Sequence, residues 1–493
     1  MGLTNNSTTQ PLVAFSTDDL AINAAFADFA QTHPNYATTS KLDSLRSTEY
    51  ARLDEQKQIY LDYTGGSLYA ESQVREHMLM LQKGVFGNPH SSNPTSHSMT
   101  ELDEKARAYV LEYFNASPDE YTVIFSQNAS GALKLVGESY PFRPDSHYLL
   151  TFDNHNSVNG IREFARARGS TVTYIPVVAP DLRVDENKLR SCLELATPGG
   201  NHLFAYPAQS NFSGVQHPLD WIELAHAKGW DVLLDAAAFA PTNTLDLSRW
   251  HPEFVDLSFY KICGYPTGVG CLLARRDALA RLNRPWFAGG TIEIASVQGD
   301  GHYLHEGEAG FEDGTINYLS LPAVEIGLRY IHAVGIEMIH QRVMDLTDWL
   351  IQHLIALQHS NAMPLIRLYG PTDMHMRAGT VTINFYDSEG HLFDWRYVEQ
   401  IANKVNISLR TGCFCNPGAG EIINGITKAD MRDYFNGSHR MTFEQFITVM
   451  DGKANGAVRV SLGIASNFAD VYQFVIFAQT LLNTVAPVTN PNL

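Results

Sequence analysis

The residue types that could do chemistry gather around one lysine, in Phe254-Val-Asp-Leu-Ser-Phe-Tyr-Lys261-Ile-Cys-Gly-Tyr-Pro-Thr-Gly-Val-Gly-Cys271. A short apolar, β-leaning run ends at Ser258, the lysine follows, and a turn rich in Gly and Pro leads to a second apolar run. A lysine placed there has two readings. It can lay its stem along apolar surface and lift its ammonium to water. It can also be an amine held in a cleft with a lowered pKa, able to form a Schiff base with an aldehyde cofactor.

Four other polar residues bear on that choice. Asp235 follows Val-Leu-Leu at the end of an apolar run; it is either a capping carboxylate or a partner for the protonated ring nitrogen of an aromatic cofactor. His155 follows an apolar run and, by itself, reads as a polar loop residue. Ser130 sits in a turn feeding a helix, where free backbone N–H groups and the helix dipole make an anion site. Asn211, in Gln209-Ser-Asn211-Phe-Ser-Gly214, has the same ambiguity. Together with Lys261 they would make a phosphate cup, a ring slot and an amine.

A second reactive stretch is Arg410-Thr-Gly-Cys413-Phe-Cys415-Asn-Pro-Gly-Ala-Gly420. One residue between the cysteines and no second pair argue against zinc. A disulfide between them would be strained. An exposed thiol beside Arg410 fits a reactive thiolate better.

The elements that must position these groups alternate. Strands are expected at 121–126, 147–152, 171–176, 202–206 and 231–235, with helices at 132–138, 157–168, 185–196 and 219–228 between them. That order predicts an α/β fold: a mostly parallel sheet covered by helices on both faces. Ligands then bind at the carboxyl ends of the strands, where the candidates lie. Residues 86–97 read as a loop, and 100–114 as a helix. After Phe311 the alternation weakens, and helical patterns over 322–332 and 336–358 lead to strands at 379–385 and 458–462. The expected domains are an N-terminal arm and helix (1–58), a large domain (59–330), a smaller α+β domain (331–485) and a tail (486–493), with residues 1–16 loose.

Lys+Arg 35 against Asp+Glu 53 gives a net charge of −18 over 493 residues. With no basic run to offset it, nucleic acid and anionic membrane are disfavoured as partners. The N-terminus lacks a basic and apolar leader, no apolar run could span a bilayer, and five cysteines make no disulfide framework, so the cytoplasm is the expected location.

Taken together, the segments Leu61-Asp-Tyr-Thr-Gly-Gly, Gly87-Asn-Pro-His-Ser, Pro207-Ala-Gln-Ser-Asn-Phe-Ser-Gly, Leu234-Asp-Ala-Ala, Ser258-Phe-Tyr-Lys-Ile-Cys-Gly-Tyr-Pro-Thr-Gly, Phe311-Glu-Asp-Gly-Thr, Arg410-Thr-Gly-Cys-Phe-Cys and Val458-Arg-Val-Ser resemble the class V pyridoxal-phosphate-dependent aminotransferase and cysteine desulfurase family. The resemblance runs from about residue 59 to 475 and is greatest to the desulfurase part of molybdenum cofactor sulfurases. It implies fold type I of pyridoxal-phosphate enzymes, pyridoxal 5'-phosphate as cofactor and L-cysteine as substrate. It further implies that Lys261 carries the cofactor, Asp235 pairs with its ring nitrogen and His155 stacks on its ring. Ser130, the backbone at Ala129, and Ser258 would hold the phosphate. Thr315 would reach the phosphate of a second subunit, implying a homodimer. Asn211 would face cofactor and substrate, Arg459 and Arg410 the substrate. Cys415, with Cys413 as second choice, would carry a persulfide to an acceptor that the sequence does not name.

Three departures qualify the likeness. The sequence to residue 493 holds no counterpart of the further C-terminal domain of the molybdenum cofactor relatives. The loop continues Gly418-Ala-Gly420-Glu, where those relatives tend to have another cysteine. Ala238 and Tyr260 stand where many desulfurases place glutamine and histidine. A pyridoxal-phosphate C–S lyase, a decarboxylating or carbon–carbon bond-forming enzyme, and a catalytically silent scaffold are therefore alternatives; a nicotinamide enzyme lacks its Gly-x-Gly-x-x-Gly motif.

Overall fold

Five short runs of Val, Leu, Ile, Phe and Tyr without interruption by charge build the centre of the molecule, as expected for strands buried on both faces. The structure, a computed structural model, describes residues 19–89, 91–435 and 456–487. The expected loose start at 1–16 and nearly all of the tail lie outside the described residues. A seven-stranded sheet contains β1 (Tyr121–Ser126), β2 (His147–Thr151), β3 (Thr171–Ile175), β4 (Leu203–Pro207), β5 (Asp231–Asp235), β6 (Phe254–Ser258) and β7 (Gly270–Arg275), in the order β1-β7-β6-β5-β4-β2-β3. β7 runs antiparallel to both its neighbours, and the pairs β6–β5, β5–β4, β4–β2 and β2–β3 are parallel. The α/β reading holds, with one reversed strand.

Alternation along each strand divides the core in two. Leu234, Val255, Leu257 and Leu273 join the larger cluster, while Leu233, Phe254 and Leu272 pack with Leu133 and Val136 of helix α1 (Ala129–Ser139) on the other face. A second, four-stranded antiparallel sheet has the order β8-β9-β11-β10, from β8 (Ile366–Tyr369), β9 (Thr380–Phe385), β10 (Arg410–Gly412) and β11 (Ala457–Ser461). Ile59–Tyr60 pairs in parallel with Ile407–Ser408, so the start of the family-like segment is tied to a strand 348 residues later. The N-terminal helix, Asp19–Thr32, inserts Phe29 against Phe468, with ring centroids 4.8 Å apart.

Two local outcomes differ from the sequence reading. The helix expected at 100–114 begins at Pro94: Asn93 accepts from the Ser96 N–H, and proline at the first helical position needs no amide partner. The loop expected over 86–97 therefore ends at Asn93. The stretch 157–168 is two short helices, α2 (Asn156–Asn159) and Ile161–Ala167, meeting at Gly160.

Candidate active site

The carboxyl ends of β4, β5 and β6, the loop after β1 and the loop after β2 enclose a cavity of about 380 Å³. Ala129, Ser130, His155, Asn211, Asp235, Ser258 and Lys261 line it, joined by Gln127, Gln209 and Asp256. The floor at one end is the first turn of α1. Asn128 caps that turn through the Gly131 N–H, the Ala129 N–H donates to Ser258 Oγ at 2.9 Å, and the Ser130 and Ser157 hydroxyls are 2.6 Å apart. Hydroxyls and helix N–H groups converging on one spot suit a phosphate. The reversed strand β7 starts directly beneath: a Cβ on Gly270 would run into Leu257 O and the Asn128 backbone.

Across the cavity, β5 delivers Asp235, 8 % exposed, with Oδ1 accepting from the Ala237 N–H at 3.0 Å. His155 caps α2, its Nδ1 accepting from the Ser157 N–H at 3.1 Å. That bond leaves the imidazole proton on Nε2 in the neutral form. Burial pushes the His155 pKa below the ordinary value, against the opposing pull of Asp235. The result is a flat, neutral ring beside a carboxylate.

β6 ends at Ser258, and one helical turn, α3 (Phe259–Cys263), carries Lys261 into the cavity. Gly264 ends that turn at φ +74, and a Cβ there would strike the backbone of Leu68 and Tyr69. Only glycine meets both demands without strain. The Lys261 amine makes no hydrogen bond or ion pair among the described residues. Burial pushes its pKa down; Asp235 opposes and Arg459 adds to the fall. A snorkelling lysine would instead be bathed in water and keep its ordinary pKa. An unpaired, desolvated amine is a nucleophile for an aldehyde. The phosphate cup, ring carboxylate, neutral histidine and free amine together fit an aromatic aldehyde phosphate.

The cysteine loop reaches the cavity-lining Asn211 from the second sheet. Phe414 and Cys415 both take left-handed backbone, φ 54 and 55, which costs about 1–2 kcal/mol per non-glycine residue. Three bonds hold it there: Asn211 Nδ2 to Phe414 O at 2.8 Å, the Asn156 N–H to Cys415 O at 2.7 Å, and Asn416 Nδ2 to Asp153 O at 2.6 Å. Phe414 also packs on Phe212 and under the Arg459 guanidinium, 4.8 Å from its ring centre. Cys415 is exposed, yet close enough to Lys261 and Arg459 for a thiolate there to favour both cations.

Residues 59–474 match the Aminotransferase class-V family. The chain belongs to that family. Relatives of this class-V chain include the molybdenum cofactor sulfurases of Arabidopsis thaliana, 36 % identical over 88 % of this chain and 57 % of the relative, and of Homo sapiens, 35 % identical over 88 % and 51 %. The chain thus spans about half the length of the relatives it matches. Among solved structures, an apo cysteine desulfurase from Thermococcus onnurineus NA1 superposes with a TM-score of 0.73 at 23 % identity, covering 89 % of this chain and 98 % of its own. A C-DES mutant holding glycine covalently linked to its PLP cofactor gives 0.66 at 18 %, covering 88 % and 99 %. These two show the same class-V fold.

Within that class-V fold the remaining candidates are dispersed. Arg459, on β11 and 3 % exposed, donates to Asp62 Oδ1 at 3.1 Å and to Asn211 O at 2.9 Å. Arg410, half out in solvent, donates to the other Asp62 oxygen at 2.6 Å. Thr315 is exposed and lies outside the cavity, with Asn88, Gly289 and Gly290 around it. Cys413 is exposed on the far side of Phe414 in sequence. Asn211 spends its amide on the cysteine loop, accepting from Asn416 Nδ2 as well as donating to Phe414. The sequence reading missed Asp62, whose carboxylate joins two arginines 348 and 397 residues away, and Asp256. Asp62 stood in a quoted segment, but no local pattern links it to Arg459. Asp256 was detectable as a lone acid inside an apolar strand. Among the described residues no group of three or more His, Cys, Asp or Glu is placed to hold a metal, and no helix is long and apolar enough to cross a membrane.

Proposed function

We propose that this chain is a pyridoxal-phosphate-dependent cysteine desulfurase, taking sulfur from L-cysteine onto Cys415 and releasing alanine. The observation that carries the reading is that one cavity presents an unpaired, desolvated Lys261 amine, and that the loop bearing Cys415 is tied to the cavity-lining Asn211 through the Phe414 carbonyl. Lys261 would supply the neutral amine for the aldehyde carbon of the cofactor. Ser130, Ser258 and the backbone at Ala129 would hold its phosphate, Asp235 its ring nitrogen and His155 its ring face. Pyridoxal phosphate, when bound, supplies the electron sink for charge developing at the substrate Cα.

The chain's own groups then divide the work. Arg459, oriented by Asp62, grips the substrate carboxylate. Lys261, once free, takes the proton from Cα. The Cys415 sulfur, as thiolate, attacks the substrate sulfur; the S–S bond of the persulfide forms as the substrate Cβ–Sγ bond breaks, and the carbon left behind takes up a proton on the way to alanine. Arg410 stands at the rim as an accessory cation for the entering carboxylate. Thr315, exposed beside Asn88, would meet a second subunit in the homodimer we read for this enzyme. Five free cysteines fit a reducing compartment, the cytoplasm. The molybdenum cofactor is the first acceptor to test, because the similar relatives carry that name.

Product analysis with L-cysteine tests the reading. The parent protein should be yellow, lose that colour on borohydride treatment, and yield alanine with a protein-bound persulfide. Cys415→Ser should keep the colour and lose the persulfide. Pyruvate and ammonia in place of alanine would make it a C–S lyase, and sulfur transfer retained by Cys415→Ser would return the role to Cys413.

A further inference from the structure

Asp256 is a buried acid that the mechanism above does not use. It lies on β6 at 0 % exposure, in register with Asp235 on β5. Paired strands lie about 4.8 Å apart, and register partners project from the same face of the sheet. Here that face is the one where Leu233, Phe254 and Leu272 pack with Leu133 of α1, so both carboxyls line the cavity.

Neither oxygen of Asp256 finds a hydrogen-bond donor among the described residues. The titratable groups around it are Asp235, the Lys261 amine from α3, and the buried Cys271 thiol on β7, with Arg107 beyond that thiol. As a carboxylate, Asp256 would be an acceptor facing another acceptor, with like charge beside like charge. As a carboxylic acid it has one O–H to give, and Asp235 is there to receive it. Burial, followed by the Asp235 charge, pushes its pKa well above the carboxylate range.

We propose that Asp256 is a positioning residue for Asp235: as a neutral carboxylic acid it donates a hydrogen bond to the Asp235 carboxylate. The bond fixes that carboxylate's rotamer and draws charge from it where it meets the ring nitrogen. The Ala237 N–H already holds Oδ1 from the chain side, so the two donors together aim the carboxylate. The inference rests on the pyridoxal phosphate reading of the cavity.

Two measurements test it. First, the infrared difference between the cofactor-free parent and Asp256→Asn should contain the C=O stretch of a protonated carboxylic acid at neutral pH. Second, the visible band of the bound cofactor is titrated with pH. Asparagine also donates, so Asp256→Asn should keep the parent's midpoint within a few tenths of a pH unit. Asp256→Val has no donor; the freed Asp235 charge should favour the cationic form nearby and move the midpoint up by about one pH unit. Absence of the acid band overturns the proposal, as does a midpoint in Asp256→Asn that moves as far as in Asp256→Val. If the valine variant does not fold, the asparagine variant and the infrared band decide. A parent that takes up no pyridoxal phosphate sinks the cofactor reading and with it the tuning of the ring nitrogen, while the acid band still shows whether Asp256 and Asp235 share a proton.

Discussion

Replacing Lys261 with methionine should make the cofactor-free protein more stable. Methionine keeps the apolar stem that packs in the cavity wall and removes the amine. Burial and Asp235 act on that amine in opposite directions, and burial wins, so the pKa falls below that of a lysine in water. The charged form is thus penalised by the fold. The sign follows from linkage: between the lowered folded pKa and the unfolded value near 10.4, the unfolded chain holds one more proton than the folded chain. Parent stability therefore rises with pH in that window, by about 1.4 kcal/mol per pH unit for one proton. Below the window the penalty is complete and constant; above it, it is gone. Lys261→Met should show its full gain below the lowered folded pKa, and the gain should shrink along that slope on approach to pH 10.4. Urea unfolding at a series of pH values, at one fixed protein concentration, reads both the sign and the slope. A methionine variant less stable than the parent, or a difference that ignores pH, would show that the attraction of Asp235 outweighs desolvation, and the case for a poised amine would fail.

Asp62→Asn should destabilise the protein by about 3 kcal/mol, because it leaves the Arg459 guanidinium buried without its counter-charge. The same variant should raise KM for cysteine more than it lowers kcat, which steady-state kinetics separates. Gly264→Ala should cost at least about 2 kcal/mol, from a positive φ and a backbone clash together, and appear as a lower denaturation midpoint. Ser130→Ala should weaken pyridoxal phosphate retention by about tenfold, the size of one hydrogen bond, in equilibrium dialysis.

Much of the large sheet could be read from local sequence. Tyr121–Ser126 and Asp231–Asp235 have the expected ends, because an apolar run bounded by turn formers marks a doubly buried strand. Asp235, His155, Ser130 and Lys261 share one edge for the same reason: each follows a parallel strand, and parallel strands end on one side. What could not be read is what depends on distant pairing. The reversal of β7 arises from its hydrogen bonds to β1 and β6, and nothing within Gly270–Arg275 specifies a direction. Asn93 capping a helix was hidden by surrounding Ser, Thr and Pro residues, which also make good loops. The two exposed cysteines differ little in local sequence, and their difference comes from the left-handed backbone that Asn211 and Asn156 hold in place.

The union of Asp62 with Arg459 has a consequence for how this protein comes into being. The two partners lie 397 residues apart, and Ile59–Tyr60 likewise waits 348 residues for Ile407–Ser408. On a ribosome the seven-stranded sheet can assemble as it emerges, since its strands all lie between Tyr121 and Arg275. The Asp62–Arg459 pair cannot. A chain stalled or cleaved before β11 would hold the Lys261 cavity while Asp62 still lacked its buried arginine partner, so that ion pair forms only once Arg459 has been made. Contacts of such long sequence separation also form slowly, which makes docking of β11 a natural late step in folding.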